Sequence, residues 1–307
     1  ILFYRCVALP ALLQTAEKAK SLGKICIYEI DDLLFSSEFP PAIETYGSMI
    51  DEDQYTELVR SFPLYREMAK ACDFAIGSTQ TISNELVPLV HFRKSFVHRN
   101  ALDKHSIIRS KRHRNDKGYI DIFYGSATLA HNSDFTRQVL PTVVEIMSQR
   151  KNVRLVVVGH VSLGHLVPTE IQKQLKQLPY MNDVGAYLEL LGQSDINIAV
   201  LDKNQANDAK SEIKWLEAGA LGVPSVVSKT ANYVDVLEEG KTALFAENHS
   251  EWKQKLETLI DSAELRNNIG ENAKRQIVEY YSESLMSKKI SDTLTEIIEV
   301  FEARDHE

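Results

Sequence analysis

The sequence has few cysteines, no long apolar run and no excess of positive charge, and each of these absences excludes a class of protein. Its three cysteines, Cys6, Cys26 and Cys72, are odd in number and widely separated. This argues against a disulfide framework or a cysteine-based metal site and fits a reducing compartment. No apolar run approaches the roughly 20 residues that a membrane-spanning helix requires. A formal net charge of -8 gives no general case for nucleic-acid binding. We therefore expect a cytoplasmic protein without a nucleic-acid partner.

Signature motifs of two enzyme classes are also missing. No predicted strand is followed by Gly-x-Gly-x-x-Gly, the phosphate-binding turn of Rossmann dehydrogenases. The nine histidines do not form a ligand pair at helical spacing, so zinc hydrolysis is not indicated and we expect no metal site. The chain begins with ILFYRCVALP and without Met, which fits a fragment of a larger polypeptide, and no secretory signal is visible. An oligomeric assembly is equally compatible with the sequence.

Positive charge is concentrated in one stretch, residues 91–117. It contains nine Lys or Arg residues against two Asp residues. Such a stretch is typical of a solvated linker, which is the interpretation that we favour. The alternative is a surface that faces an anionic partner such as phospholipid or a lipid diphosphate. In that case the protein would make peripheral contact with the inner face of the cytoplasmic membrane.

Strand and helix patterns alternate along the chain in the order typical of parallel α/β sheets. A length of 307 residues allows two such domains. Strands are predicted at residues 1–7 and 24–30 in the first half, and at 119–124, 153–158 and 196–201 in the second. Ligands of such sheets bind beyond the carboxyl ends of the strands, which is where Asp31 and Asp32 follow the second strand. A single aspartate there is commonly a cap, whereas two adjacent ones indicate a site.

Residues 207–227, NDAKSEIKWLEAGALGVPSVV, predict a helix, a glycine stop and a buried strand. Asp208 or Ser211 is expected to cap the helix, and Gly222 followed by Pro224 is expected to end it.

One face of this predicted helix carries charge. Lys210, Lys214 and Glu217 nearly superpose at 3.6 residues per turn. Two cations and a carboxylate near a helix N-terminus suit a phosphate-bearing ligand. A solvated face with charge pairing between neighbouring turns explains the pattern equally well.

This segment and the following ANYVDVLEEGKTALFAENHSEWKQKLETLI resemble the nucleotide-sugar-binding domain of retaining GT-B glycosyltransferases, whose signature is Glu-x7-Glu. In the first half, ACDFAIGSTQTISNEL and HRNALD are similar to family segments, with Ala101 in place of a glycine. The resemblance extends over residues 24–282. It implies the GT-B fold, with two Rossmann-like α/β domains facing a cleft, the N-terminal one abbreviated, and a C-terminal helix that crosses back to it.

The domain boundaries implied by the resemblance divide the chain into four parts. They are an acceptor-side domain, a basic linker, a nucleotide-sugar-binding domain and a returning helix, at residues 1–103, 104–118, 119–281 and 282–307.

The activity implied by the resemblance is retaining transfer of a hexosyl or related sugar from a nucleoside diphosphate sugar to a saccharide or lipid-linked acceptor. Surface polysaccharide or glycoconjugate assembly is the expected setting. No cofactor or metal is expected, because members of the family stabilise the leaving diphosphate with cationic side chains and a helix N-terminus. Two alternatives remain: a catalytically silent GT-B module that partners an active glycosyltransferase, and a sugar-nucleotide epimerase.

The resemblance assigns the donor site residue by residue. Glu217 matches the second glutamate of the motif, which accepts hydrogen bonds from the ribose hydroxyls. Position 209, where the first glutamate belongs, is Ala209. Relatives place Arg and Lys after the first strand of this domain, but residues 125–135 contain neither and offer Ser126 instead. We therefore assign the donor diphosphate to Lys210 and Lys214.

The catalytic residues implied by the resemblance are Asp31 and Asp32. Many relatives end the corresponding strand in His-Asp, so Asp31 takes the place of the histidine and Asp32 matches the aspartate. A carboxylate at this position would orient the acceptor hydroxyl or stabilise oxocarbenium-like charge.

Overall fold

The computed structural model describes residues 1–36, 40, 42–46, 50–102, 117–127, 132–161, 163 and 166–304. Most of the basic segment 91–117 and of the predicted linker 104–118 lies outside the described residues. The predicted contact of this segment with a membrane therefore stays a prediction. None of the helices in the described ranges combines the length and apolar character needed to cross a bilayer.

The first sheet is parallel, and its four strands lie side by side in chain order. They are β1 (Leu2–Tyr4), β2 (Ile27–Ile30), β3 (Phe74–Gly77) and β4 (Ser95–Val97). The strands are connected by α1 (Pro10–Ser21), α2 (Glu52–Lys70) and α3 (Gln80–Leu86), with a 3-10 turn at Ile43–Tyr46. Each α-helix begins at a local signal: Pro10 starts α1, a capping box of Asp51 and Gln54 starts α2, and Thr79 caps α3.

The second sheet has six parallel strands. They are β5 (Ile120–Ser126), β6 (Val153–Gly159), β7 (Leu175–Leu178), β8 (Ile196–Ala199), β9 (Ser225–Ser228) and β10 (Leu244–Ala246). Their spatial order is β10-β9-β8-β5-β6-β7, which is the Rossmann order with its topological switch point between β5 and β8. A ligand of this domain is therefore expected beyond Ser126, at the end of β5.

Helices cover both faces of the second sheet. They are α4 (Asn132–Gln138), α5 (Leu140–Gln149), α6 (Val184–Gly192), α7 (Gln205–Asp208), α8 (Ile213–Ala220), α9 (Ala231–Val236), α10 (His249–Asp261) and α11 (Ala263–Tyr280). A 3-10 helix, Thr169–Gln174, precedes β7. The largest apolar cluster lies between the sheet and α5 and α10, and Trp252 is its bulkiest buried side chain.

The last helix, α12 (Glu283–Arg304), returns to the first sheet. Ile297 is buried against Ile27, Phe74 and Ile76. Beside it, the ring of Phe301 lies 5.6 Å from that of Phe92. The fold class is therefore confirmed: two Rossmann-like α/β domains, the first with fewer strands, and a C-terminal helix that crosses back.

The predicted helix after Asn207 is broken in two. Residues 209–212 separate α7 from α8, and neither predicted cap serves α8. The Asp208 carboxylate accepts the Ala231 backbone N–H at 2.9 Å, and the Ser211 hydroxyl accepts the Asn100 side-chain amide at 2.9 Å. Both caps were wrongly predicted because these side chains bind other elements. The end of α8 is as predicted, with Gly222 at φ 70°.

The contact between α11 and the end of α8 is close enough to test by substitution. A Cβ atom at Gly270 would lie 2.1 Å from the Gly222 carbonyl oxygen. We expect Gly270→Ala to lower the free energy of unfolding by about 1–3 kcal/mol, although alanine is intrinsically favoured over glycine in a helix by about 1 kcal/mol. Chemical denaturation measures the change.

Gly185→Ala, within α6, is the matched control for Gly270→Ala. Its Cβ would meet only the tip of the Asp183 carboxylate at 3.1 Å. We expect no loss of stability in this variant. Equal stability of the two variants would contradict the close packing of α11 on α8.

Candidate active site in the interdomain cleft

Two adjoining cavities lie where the carboxyl ends of the two sheets face each other. The first, of about 200 Å³, is lined by side chains that include Ser126, Tyr187, Lys214 and Glu217. The second, of about 230 Å³, is lined by residues that include Asp31, Asp32, Ser126, Lys210 and Lys214. Because Ser126 and Lys214 line both cavities, they form one cleft, and its size is of the order expected for a small-molecule site. The structure thus brings all six predicted site residues to the same cleft.

The floor of the cleft is the end of β5. The Ser126 carbonyl accepts the backbone N–H of His160 at 2.9 Å. Gly159, at φ 104°, approaches so closely that a Cβ atom there would lie 1.9 Å from that carbonyl oxygen. Only glycine fits this position, so β5 and β6 end together beneath the cavity. Residues 128–131, which continue the predicted donor loop, lie outside the described residues.

Lys214 projects from the first turn of α8 with a buried ammonium group. Its Nζ atom has no hydrogen-bond partner among the described residues, although the side chain as a whole is partly exposed. The nitrogen lies 4.8 Å from the centre of the Tyr124 ring, a cation–π contact. Burial lowers the pKa of Lys214 to about 8, although the negative charges of Asp134 and Glu217 act to raise it. An ammonium in this state is available to an anion that enters the cleft.

Glu217 lies one turn further along α8, on the same side as Lys214. Its carboxyl group accepts the Tyr187 hydroxyl at 3.2 Å. Burial raises the pKa of Glu217 to about 7, while the Tyr187 hydrogen bond and Lys214 act in the opposite direction. Gly125 leaves room for this arrangement, since a Cβ atom there would lie 2.7 Å from the Tyr187 hydroxyl. Sequence reasoning missed Tyr187, because no local pattern links it to α8.

Lys210 reaches the cleft from the segment between α7 and α8, not from a continuous helical face as predicted. Its Nζ atom lies 2.6 Å from an oxygen of Asp32. Lys210 belongs to the second domain and Asp32 to the first, so this ion pair spans the cleft. Lys210 and Lys214 nevertheless lie close together in space, as predicted, because both residues line the second cavity.

Arg5 is a site residue that sequence reasoning missed. Its guanidinium donates to Asp31 at 3.0 Å and to Asp32 at 3.2 Å. The contact follows from the parallel register of β1 and β2, in which Tyr4 pairs with Glu29, so the residues after both strands are neighbours. Arg5 has φ 48°, a left-handed conformation that costs about 1 kcal/mol or more in a residue other than glycine. The sequence-based prediction placed Arg5 inside a strand over residues 1–7, whereas β1 ends at Tyr4, so Arg5 follows the strand and was not recognised as a site residue.

The position of the missing glutamate is a contact between the domains. Ala209 is buried within the apolar core of the first domain, and its carbonyl oxygen accepts the Thr79 hydroxyl at 3.0 Å. A longer, charged side chain has no place in this packing. Ala209 therefore contributes to closing the cleft, not to lining it.

Glu212 does not replace the missing glutamate. Its side chain is 1% exposed and accepts hydrogen bonds from Asn232 at 2.8 Å, from Arg99 at 3.4 Å and from the Tyr281 hydroxyl. None of these partners is among the residues that line the two cavities, so Glu212 has a structural role. In the described part of the chain, no group of three or more His, Cys, Asp or Glu side chains is arranged to hold a metal ion.

Comparison with known proteins places this geometry in context. A family model described as glycosyl transferase-like matches residues 137–287, slightly less than half of the chain. No curated protein matches the sequence significantly. Among solved structures, Anabaena HepE in complex with UDP superposes with a TM-score of 0.66 at 15% identity, covering 96% of this chain and 78% of HepE.

Two further structures share the same architecture. A glycosyltransferase from Rickettsia africae matches with a TM-score of 0.63 at 14% identity, over 95% of this chain and 81% of its own. A Listeria monocytogenes protein described as a putative UDP-N-acetylglucosamine 2-epimerase matches with a TM-score of 0.54 at 13% identity, over 97% and 74%. The fold is GT-B. At these identities the likeness extends to the fold alone, and GT-B proteins of different activity share it.

The pKa of Glu217 generates a prediction about stability. The folded-state pKa is raised to about 7, so the folded protein retains a proton that the unfolded chain releases at lower pH. Wild-type stability therefore falls as the pH rises from about 4.5, the ordinary pKa of a glutamate, to about 7, and Glu217→Gln removes this loss. We expect the stability of Glu217→Gln relative to the wild type to increase by about 2 kcal/mol between pH 5 and pH 8. Denaturant unfolding at both pH values measures it.

Glu189→Gln, on the exposed side of α6, is the control for the pH effect. Its stability relative to the wild type should be the same at both pH values. A Glu217→Gln difference that is equally independent of pH would show that the carboxyl is not titrating in a buried site.

Proposed function

We propose that this protein is a retaining glycosyltransferase that moves a hexosyl or related sugar from a nucleoside diphosphate sugar to a saccharide or lipid-linked acceptor. The observation that carries the proposal is the buried ammonium group of Lys214, which has no hydrogen-bond acceptor among the described residues. It lies beside Glu217 at the switch point of a Rossmann sheet. An anionic ligand with vicinal hydroxyls matches this pair of charges. HepE, which shares the fold, has been crystallised with UDP and with UDP-glucose.

The two cavities suit the two halves of such a donor. In the proposed arrangement the nucleoside enters the first cavity and its ribose hydroxyls donate to Glu217. The diphosphate lies at the junction of the cavities, near Ser126, Lys214 and Lys210. The sugar then projects into the second cavity towards the first domain. Cations already in place where charge develops on the leaving diphosphate would lower the barrier to its departure.

Asp31 and Asp32 face the proposed sugar from the first domain. Arg5 donates to both oxygens of Asp31, at 3.0 and 3.3 Å, which holds the carboxylate in one direction. We propose that Asp31 orients the acceptor hydroxyl or stabilises positive charge on the transferred sugar. Asp32, which pairs with Arg5 and Lys210, links the two sides of the cleft.

A catalytically silent module is the second candidate, and one observation favours it. The position of the first motif glutamate is an alanine packed against the first domain, so the carboxylate that this motif supplies is lacking. Such a module would bind the donor without consuming it. Product analysis also separates transfer from epimerisation, which would change the donor's sugar and leave its diphosphate attached.

Removing either cation tests the donor site. We expect Lys214→Ala and Lys210→Ala each to lower affinity for the donor about tenfold or more, because a buried or cleft-facing cation is lost from the diphosphate. A thermal-shift screen of UDP-, GDP- and dTDP-sugars identifies the donor, and titration calorimetry then measures the affinities. Lys203→Ala, whose side chain is 84% exposed, is the matched control and should bind as the wild type does. Unchanged affinity in Lys214→Ala would refute the proposed diphosphate site.

Replacing Asp31 separates catalysis from binding. We expect Asp31→Asn to reduce sugar transfer or donor hydrolysis at least about a hundredfold, with donor affinity within about threefold of the wild type. Donor turnover and calorimetry on the same preparation measure both quantities. Asp53→Asn, on the exposed first turn of α2, controls for the loss of a carboxylate. A fully active Asp31→Asn would refute the role, and a wild type that binds donor without turnover would identify the silent module.

A further inference from the structure

Four charged side chains form a chain of contacts between the two domains, and three of them, Asp31, Asp32 and Lys210, line the second cavity. The guanidinium of Arg5 donates to Asp31 at 3.0 Å and to one oxygen of Asp32 at 3.2 Å. The other oxygen of Asp32 accepts from Lys210 Nζ at 2.6 Å. Asp32 thus holds one cation from each domain, each on its own oxygen. Arg5 makes these contacts from a left-handed backbone conformation at φ 48°.

The two cations of Asp32 differ in what they can reach. Lys210 lines the second cavity together with Lys214, and its flexible stem carries a compact charge that can turn to a new anion. Arg5 contacts both aspartates at once, and its planar guanidinium suits a fixed position between two carboxylates. A ligand phosphate that competes for Lys210 would therefore leave the Arg5 contact in place.

We propose that Arg5 is a positioning residue that shares Asp32 with Lys210, so that Lys210 can pass from Asp32 to the donor diphosphate while Asp32 keeps a cation. This inference rests on the proposed function for the identity of the ligand. The ion pair between Lys210 and Asp32 closes the cleft before the donor binds. When the donor binds, Lys210 exchanges one anion for another, and Arg5 balances the charge that Lys210 leaves. No group is transferred and no covalent bond changes.

The exchange requires that either Arg5 or Lys210 can stabilise Asp32 when the other is absent. This requirement can be tested without any ligand. We expect Arg5→Gln and Lys210→Met each to lower the unfolding midpoint by about 2 °C. The double variant should lose about 6 °C or more, since Asp32 then loses the ion pairs with both Arg5 and Lys210. Adding Asp32→Asn to the double variant should restore most of the loss.

A control double variant, Arg60→Gln with Lys70→Met, removes two exposed helix ion pairs that share no carboxylate. The effects of these two substitutions on the unfolding midpoint should be additive. Additive effects in the Arg5 and Lys210 pair as well, or no rescue by Asp32→Asn, would overturn the proposal. Arg5→Lys keeps a cation but not the planar guanidinium, so it should lower the unfolding midpoint less than Arg5→Gln does, which separates loss of charge from loss of folding.

Ligand binding tests the exchange itself, with UDP, GDP and dTDP as the probes. For the nucleotide that binds the wild type, we expect Arg5→Gln to weaken affinity about tenfold, because Asp32 has then already lost one ion pair and loses a second when Lys210 leaves it. In the Asp32→Asn background, Arg5→Gln should change affinity by less than about threefold. A tenfold loss that persists in that background would overturn the proposal, since Arg5 would then act on the ligand directly.

Failure of the proposed function gives a different result. A wild type that binds none of the three nucleotides refutes both donor binding and the exchange, even where the ligand-free measurements show that Arg5 and Lys210 share Asp32. A wild type that binds a nucleotide, with additive effects of Arg5 and Asp32, leaves the donor site intact and removes only the exchange.

Discussion

The buried carboxylate of Glu212 joins the segments on which the cleft depends. Its hydrogen-bond donors are Arg99, on the chain that leaves the first domain, Asn232 on α9, and Tyr281, where the chain turns back towards the first sheet. Because both connections between the domains meet at one buried anion, loss of any donor would leave charge unsatisfied in the interior. Glu212 also occupies the N-cap position of α8. The two connections between the domains and the helix that carries Lys214 and Glu217 are thus joined at one carboxylate.

The charged side chains on the two sides of the cleft differ in how they are stabilised, and this difference agrees with the proposed chemistry. On the first-domain side, Asp31, Asp32 and Arg5 satisfy one another at hydrogen-bonding distance. On the second-domain side, burial lowers the pKa of Lys214 and raises that of Glu217, so each group is shifted towards its neutral form. A ligand that brings phosphate oxygens and hydroxyls would stabilise the charged forms of the second pair. Binding energy is therefore available at the proposed nucleotide end of the cleft, whereas the first domain offers prearranged geometry.

Much of this architecture was predictable, and the failures have identifiable physical causes. Alternation of strand and helix patterns located both sheets, the carboxyl-end rule singled out Asp31 and Asp32, and the family resemblance pointed to Ser126. The position of Arg5 was not predictable, because strand periodicity does not show where a three-residue edge strand ends. Strand β7 was also missed, since its edge position leaves LKQL largely polar and partly exposed. The partners of Glu212 lie up to 113 residues away along the chain, beyond the reach of any local pattern.

The packing of α12 on the first sheet also sets the order in which the chain can fold. Ile27, Phe74 and Ile76 form an apolar surface whose cover includes Ile297, and that residue leaves the ribosome long after β2 and β3. During synthesis this apolar surface of the first domain stays exposed to solvent until the second domain and α12 have been translated. Premature termination before α12 would thus damage the domain that was made first. Chaperone dependence should accordingly centre on the amino-terminal half of the nascent chain.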